Sequence, residues 1–269
     1  MTYDRSASAL FTEILRNDRI DLAARLPEAI DFHFTQDQLA RCFDASRILW
    51  QTSLERNALV QMARTLIKTG EITPGDQLRF KHERARFKHL RFAFATFGAR
   101  HRYPPAIDAI TSVMGNLQDA FKNGKQASAR RNAALLRALL HPLPFGLAVR
   151  ETARFRAATA DSFRRNLAQQ ADDIFRFLEE EKVTAKSFHD TRKIVSRARA
   201  GFATLTTLYP GSNSKSVAAF LATVNGLMGN FHDTLMSAYL DGRLDYHRDR
   251  FSLQPEIRQR LQSLALALH

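Results

Sequence analysis

Apolar residues recur at three- and four-residue spacings along most of the chain, and the breakers Gly and Pro fall between the periodic stretches. This pattern predicts helices over 35–70, 77–97, 103–124 and 126–141, the last stopped by "PLPFG". It then restarts, with helices over 148–182, 185–208 and 216–241 and a short one opened by Pro255. Runs of β-branched residues bounded by Asn-Gly or Asp-Gly are missing, so the expected fold class is all-α. Ahead of the first long helix lies a leader, 1–34, with a short helix expected around 6–17.

Two phrases recur: "MGNLQDAFKNG" (114–124) and "MGNFHDTLMSAYLDG" (228–242). The helices before them also match. "KHERARFKHLRFAFATF" (81–97) lies over "HDTRKIVSRARAGFATL" (189–205), with Arg84 on Arg192, Arg91 on Arg199, and Phe-Ala-Thr-Phe on Phe-Ala-Thr-Leu. The chain therefore reads as an internal repeat of two four-helix halves, 35–145 and 146–269, joined at the Pro-rich stretch 142–146.

On a helical projection Lys81, Arg84, Lys88 and Arg91 share one stripe, with Phe87, Leu90, Phe94 and Phe97 opposite. In the second copy His189, Arg192, Lys193 and Arg199 oppose Val195, Ala198, Phe202 and Leu205. Each helix is half core and half cation, with few acids of its own for i,i+4 pairing. Composition makes this the dominant signal: 40 Lys and Arg against 27 Asp and Glu leave a net charge of +13. Such a field attracts polyanions without saying which one. One cysteine among 269 residues excludes an internal disulfide and fits a reducing, cytoplasmic setting. No run approaches the roughly 18 apolar residues of a membrane span, so no membrane insertion is expected. The charged N-terminus does not read as a signal peptide.

"HDTRKIVSRAR" followed by "LATVNGLMGNFHDTLMSAYL" resembles the second half of a CHAD domain, the conserved-histidine α-helical domain. The matching residues are His189, Arg192, Lys193, Arg197 and Arg199, then Met228, Gly229, His232 and Asp233. The first half keeps Arg84, Lys88, Arg91, Gly115 and Asp119, but has Lys81 at the histidine position with His82 beside it, and Gln118 where His or Arg is usual. The resemblance covers about 36–269. It implies two four-helix bundles related by a pseudo-twofold axis, their basic residues lining a shared surface, and non-catalytic binding of inorganic polyphosphate at polyphosphate granules. No cofactor is expected.

Polyphosphate carries about one charge per repeating unit and has no bases, so a receptor needs many Arg and Lys on rigid helices. His189 is then either a pH-tunable phosphate donor or an imidazole that packs the helix start. Arg130, Arg131 and Arg137 on the fourth helix, and Arg150, Arg154, Arg164 and Arg165 beyond it, either extend the cationic surface or form a solvated face. Asp119 and Asp233 would repel phosphate. Their expected role is to anchor a cation from the neighbouring helix, with the nearby glycine allowing close approach.

Two other functions compete. Nucleic-acid binding explains the charge, but no helix-turn-helix pattern is evident and only one Trp and five Tyr are present for stacking beyond the Phe set. A metal-dependent phosphohydrolase would use His189-Asp190 and His232-Asp233, yet the first half lacks both pairs.

Overall fold

A computed structural model describes residues 2–15, 18–28, 30–211 and 213–269. Among them are eleven helices and one two-stranded ribbon, so the protein is all-α. Contacts divide the chain into two compact units. Unit 1 comprises Met1–Leu15 and Gln36–Ala158, and unit 2 comprises Arg16–Thr35 and Thr159–His269.

Unit 1 contains α1 (Thr2–Leu15), α2 (Gln36–Ser53), α3 (Arg56–Thr69), α4 (Pro74–Phe97), α5 (Pro105–Lys122), α6 (Gln126–Leu139) and α7 (Pro142–Ala153). The single helix expected over 35–70 is two, broken at Leu54-Glu55. Apolar periodicity runs through that break, which is why the pattern hides it. Gly70 ends α3 in the left-handed region (φ 76°), and its N–H donates to the Leu66 carbonyl at 2.8 Å. Thr73 caps α4 by accepting the Asp76 N–H at 3.1 Å, with Pro74 in the first turn. α4 packs on α2 and α5, and α6 packs on α3 and α5.

The stretch 142–146, expected to be a joint, is the first turn of α7, because prolines fit where a helix has no N–H to pair. The helix expected over 148–182 is accordingly α7 and, in unit 2, α8 (Ala160–Glu179). Between them the chain runs back along the end of α4: Ala99 N–H donates to the Arg156 carbonyl and Ala158 N–H to the Phe97 carbonyl, at 2.9 and 2.8 Å. Phe155 stacks face-on against Phe43 and edge-on to Phe94. Trp50, Phe87, Leu90, Ile107, Met114, Leu117 and Leu136 complete the core. Cys42 lies within it, and burial pushes its thiol up to about 12, so it behaves as a small hydrophobe rather than a nucleophile.

Unit 2 contains α8, β1 (Val183–Thr184), α9 (Ala185–Leu208), α10 (Ser214–Leu240), β2 (Arg250–Phe251) and α11 (Pro255–Leu268). α8 packs on α9 and α11, and α10 packs on α9 and α11. Thr184 and Ser187 form a reciprocal capping box at the start of α9. The strands, unexpected from sequence, pair antiparallel with Val183 opposite Phe251. Phe188, Val195, Val224, Met228, Ile257 and Leu261 are buried. Met114 and Met228 of the twin phrases are both 0% exposed, so each phrase opens on a core residue.

The leader is no separate body. α1 packs on α2 and α4, whereas 18–28 and 30–35 belong to unit 2. There Asp21 exchanges hydrogen bonds with the Thr223 hydroxyl, and Ile20 approaches α10 at Gly226. A Cβ on that glycine would sit 2.9 Å from the Ile20 side chain. Arg260, only 3% exposed, donates to the carbonyls of Leu22 and Ala24 at 2.7 and 2.8 Å and pairs with Glu256. Among the described residues no single helix is long and apolar enough to cross a membrane.

Arg260→Leu removes the donors to two carbonyls and leaves Glu256 without its partner. We expect a loss of about 3 kcal/mol in urea unfolding and faster protease cleavage within 18–28.

Candidate functional site

In unit 1 the cationic stripe lies on α4. Lys81 is exposed, while Arg84, Lys88 and Arg91 are half-buried. Beyond Arg91 the helix is buried on every side through Phe97, so the half-core, half-cation pattern ends at that turn. Arg84 lies across α5 at the glycine of the first phrase: a Cβ on Gly115 would stand 3.3 Å from its Nη2. Burial pulls Arg84 below the ordinary guanidinium value, the Asp119 charge opposes this, and Arg91 adds to it. The Arg84 Nε is buried and has no hydrogen-bond partner among the described residues.

The stripe was expected to lack acids, but the acids come from outside the helix. Arg91 pairs with Asp108 at 2.9 Å and sits 4.7 Å from the centre of the Tyr103 ring. Lys88 lies 5.4 Å over Phe92. Off the stripe, Arg86 pairs with Glu83, 2% exposed, and covers the Phe11 ring of α1 at 4.2 Å. Burial raises the Glu83 carboxyl above its usual range, with Arg86 pulling the other way. His82 turns its ring edge-on to Phe11, and burial, Arg86 and Lys81 all lower its pKa. Lys81 therefore keeps the exposed place at the head of the stripe, and His82 packs under α1.

Arg130 is drawn elsewhere. It donates to the Thr69 carbonyl at 3.1 Å beside Gly70, closing the end of α3. Arg131 and Arg137 are exposed on α6, as are Arg150 and Arg154 around α7.

In unit 2 the same contact recurs on α9. Arg192 lies against the glycine of the second phrase, with a Cβ on Gly229 3.4 Å from its Nη2. Exposed His189 and Lys193 flank Arg192 in sequence on the same helix. Partial desolvation against the helix lowers the His189 pKa, the charges of Lys193, Arg192 and His232 lower it further, and Asp190 opposes them. His232 packs edge-on to Tyr246 at 5.7 Å. Burial raises the Tyr246 phenol, and nearby Arg192 partly offsets that rise. His189, Arg192, His232 and Tyr246 thus form one cluster of donors.

The remaining cations of α9 are more constrained. Lys193 and Lys186 both bond Asp190, at 3.0 and 3.1 Å. Burial works against ionisation of Asp190, but these bonds outweigh it and hold the carboxyl below its usual range. Arg199 pairs with Asp18 of the leader, and Asn225 holds the same carboxylate while accepting from Ser196 at 2.7 Å. Arg197 is half-buried, its Nε without a hydrogen-bond partner among the described residues. The Asp119 charge acts on Arg84, but no ion pair within 4 Å joins the two among the described residues. Asp233, 73% exposed, instead faces His232 of its own helix at 3.5 Å.

Sequence reasoning passed over Tyr246, Asp18 and Asn225. Tyr246 stands in "DYHRD" (245–249), a polar-aromatic stretch in a loop, where helical periodicity gives no signal. The Asp18–Asn225 contact spans 207 residues and leaves no local signal. Among the described residues no three His, Cys, Asp or Glu side chains converge as a metal-ligand set. No protein-family model, curated protein or solved structure matches the chain.

Gly115→Ala gains helix propensity, worth roughly 0.5–1 kcal/mol, but its methyl crowds Arg84. The expected outcome is an unchanged or slightly raised melting temperature together with weaker anion binding, read by calorimetry and titration on one preparation.

Proposed function

We propose that the protein binds inorganic polyphosphate, without catalysis, through the basic helices α4 and α9, and that it is a member of the CHAD family. The observation that carries this reading is the paired contact of Arg84 with Gly115 and Arg192 with Gly229. In both units an arginine of the basic helix is laid across the next helix at the same place in the repeated phrase. A guanidinium held by packing has lost its rotamer freedom in advance, so an arriving phosphate pays less to order it.

The neighbour scheme is also shared. α2 and α3 together, α4, α5 and α6 contact one another in the same cyclic order as α8, α9, α10 and α11. This supports two copies of one four-helix unit.

The chemistry of the α9 cluster favours phosphate. Arg192, His189 and Lys193 offer donors of three geometries on adjacent turns, and the Tyr246 hydroxyl adds a fourth type. Neither α4 nor α9 presents a row of exposed aromatic rings on which bases would stack. Asp190 is engaged by two lysines, which counts against its use as a metal ligand in a hydrolase.

The test is competition between long-chain polyphosphate and duplex DNA for the whole protein at about 150 mM salt. Polyphosphate should displace DNA and resist displacement by it. Removing Lys81, Arg84, Arg192 and Lys193 together, as Gln, should weaken polyphosphate binding at least about a hundredfold, or 2.7 kcal/mol, with the helical circular dichroism retained. Arg199 is left in place because it holds the leader. Equal competition by DNA, or unchanged affinity in the fourfold variant, would sink the reading.

A pH dependence follows from His189. Its folded pKa lies below the unfolded value, so its contribution to stability is complete above the ordinary imidazole range and shrinks as pH falls. A bound polyanion reverses the sign of the local field and raises that pKa, so protons are taken up on binding. Affinity should rise severalfold, up to about tenfold per unit of pKa change, between pH 7.5 and 6. That rise should vanish in His189→Gln.

A further inference from the structure

A second basic feature borders the N-terminal turn of α5, whereas the phrase lies in its C-terminal half. An open groove of about 460 Å³ lies between the first turn of α5, the end of α6 and α7. Pro105, Ile110, Leu139, Pro144 and Leu147 make it mostly apolar, and Arg150 and Arg154 stand at its edge. Glu151 also borders it, but both of its oxygens are taken by the N–H groups of Ala106 and Ile107 at 2.9 and 3.0 Å. The edge is therefore cationic. Among the described residues neither Arg150 nor Arg154 is in an ion pair.

The helix beside the groove is amphipathic in an unusual direction. Leu143, Leu147, Arg150 and Arg154 follow one another at i, i+4, i+7 and i+11, one narrow stripe along α7 and its C-cap. That stripe faces water: Leu143 is 81% exposed and Leu147 54%. On α6, Leu135 is 49% exposed and lies one turn before groove-lining Leu139. Large apolar side chains held out at one site and followed by unpaired arginines mark a surface made for an amphiphile.

The stretch from α6 through α7 is also where hydropathy reaches that of a membrane span, yet the two helices meet at 67°. With 14 and 12 residues they extend roughly 21 and 18 Å, well short of an apolar layer about 30 Å thick. Neither helix alone can cross it, and Ala129, Ala133, Leu136 and Ala148 are buried in the core of unit 1, which leaves only the exposed face of the elbow for the boundary between water and lipid.

From this we infer that the α6–α7 elbow docks the protein on the surface of an anionic lipid bilayer. Leu135, Leu143 and Leu147 enter the acyl boundary, and Arg150 and Arg154 meet the phosphate headgroups. Charge complementarity selects this occupant: a neutral apolar partner would leave both arginines desolvated and unpaired. The inference does not depend on polyphosphate binding, because the residues involved are different.

Co-sedimentation of the whole protein with vesicles decides it. Vesicles of equal parts phosphatidylglycerol and phosphatidylcholine should carry the protein down, and phosphatidylcholine alone should not. Leu143→Glu with Leu147→Glu should reduce the bound fraction at least tenfold, and Arg150→Gln with Arg154→Gln should reduce it severalfold. Both pairs are exposed, so circular dichroism and melting temperature should stay within error of the parent. The Lys81, Arg84, Arg192 and Lys193 variant should sediment with vesicles as well as the parent does, which separates a failure here from a failure of the polyphosphate reading. Full vesicle binding by the Leu143 and Leu147 variant overturns the proposal. So does sedimentation that the fourfold variant alone abolishes, since the basic helices would then be the lipid contact. A parent dimer that those glutamates convert to monomer, with no vesicle binding, also overturns it and assigns the elbow to self-association.

Discussion

An arginine drawn into the packed flank of a helix must exchange water for a carboxylate, a carbonyl or a ring face, because an unpaired buried charge costs several kcal/mol. Much of this protein is arranged around that requirement. Arg91 takes Asp108 and the Tyr103 ring, Arg86 takes Glu83 and Phe11, Arg199 takes Asp18, and Arg260 takes two backbone carbonyls and Glu256. Each partner comes from a definite place in the chain, so the cations fix where α1, the leader and α5 sit within their units. Arg84 and Arg192 are held differently. What each meets at close range is a glycine, and neither is in an ion pair within 4 Å among the described residues.

That contrast divides the basic residues by physical role. A guanidinium already bonded to a carboxylate has little left to offer a phosphate, whereas one that is positioned but unpaired has its fork available. Charge and spacing make Arg91 and Arg199 look equivalent to Arg84 and Arg192. Pairing separates them and, under the proposed function, puts Lys81, Arg84, His189 and Arg192 ahead of Arg91 and Arg199 as candidate anion contacts.

The helical class was legible because periodicity and caps agree along the chain: Thr73 before Pro74, Gly70 after Lys68, Thr184 with Ser187. The twin glycines were legible too, since a Gly inside an apolar helical run signals close approach. Other features had no local signal. The break at 54–55 keeps the apolar spacing, and "PLPFG" looks identical as a stop or as a first turn. The acids that pair Arg91 and Arg199 lie 17 and 181 residues away, beyond any i,i+4 pattern. Sequence therefore showed which faces are cationic but not how much of that charge is already neutralised.

The pairing of Asp18 with Arg199 couples the two ends of this economy. Asp18 also binds Asn225, whose partner Ser196 is on the same helix as Arg199, so the Asp18 carboxylate rests on α9 and α10 together. If an anion took Arg199 it would have to release that carboxylate, and part of its binding free energy would go into loosening the leader. Linkage is reciprocal, so whatever pins the leader more firmly weakens the anion by the same factor. The leader is in this sense a resident counter-ion, carried on the chain at a fixed effective concentration.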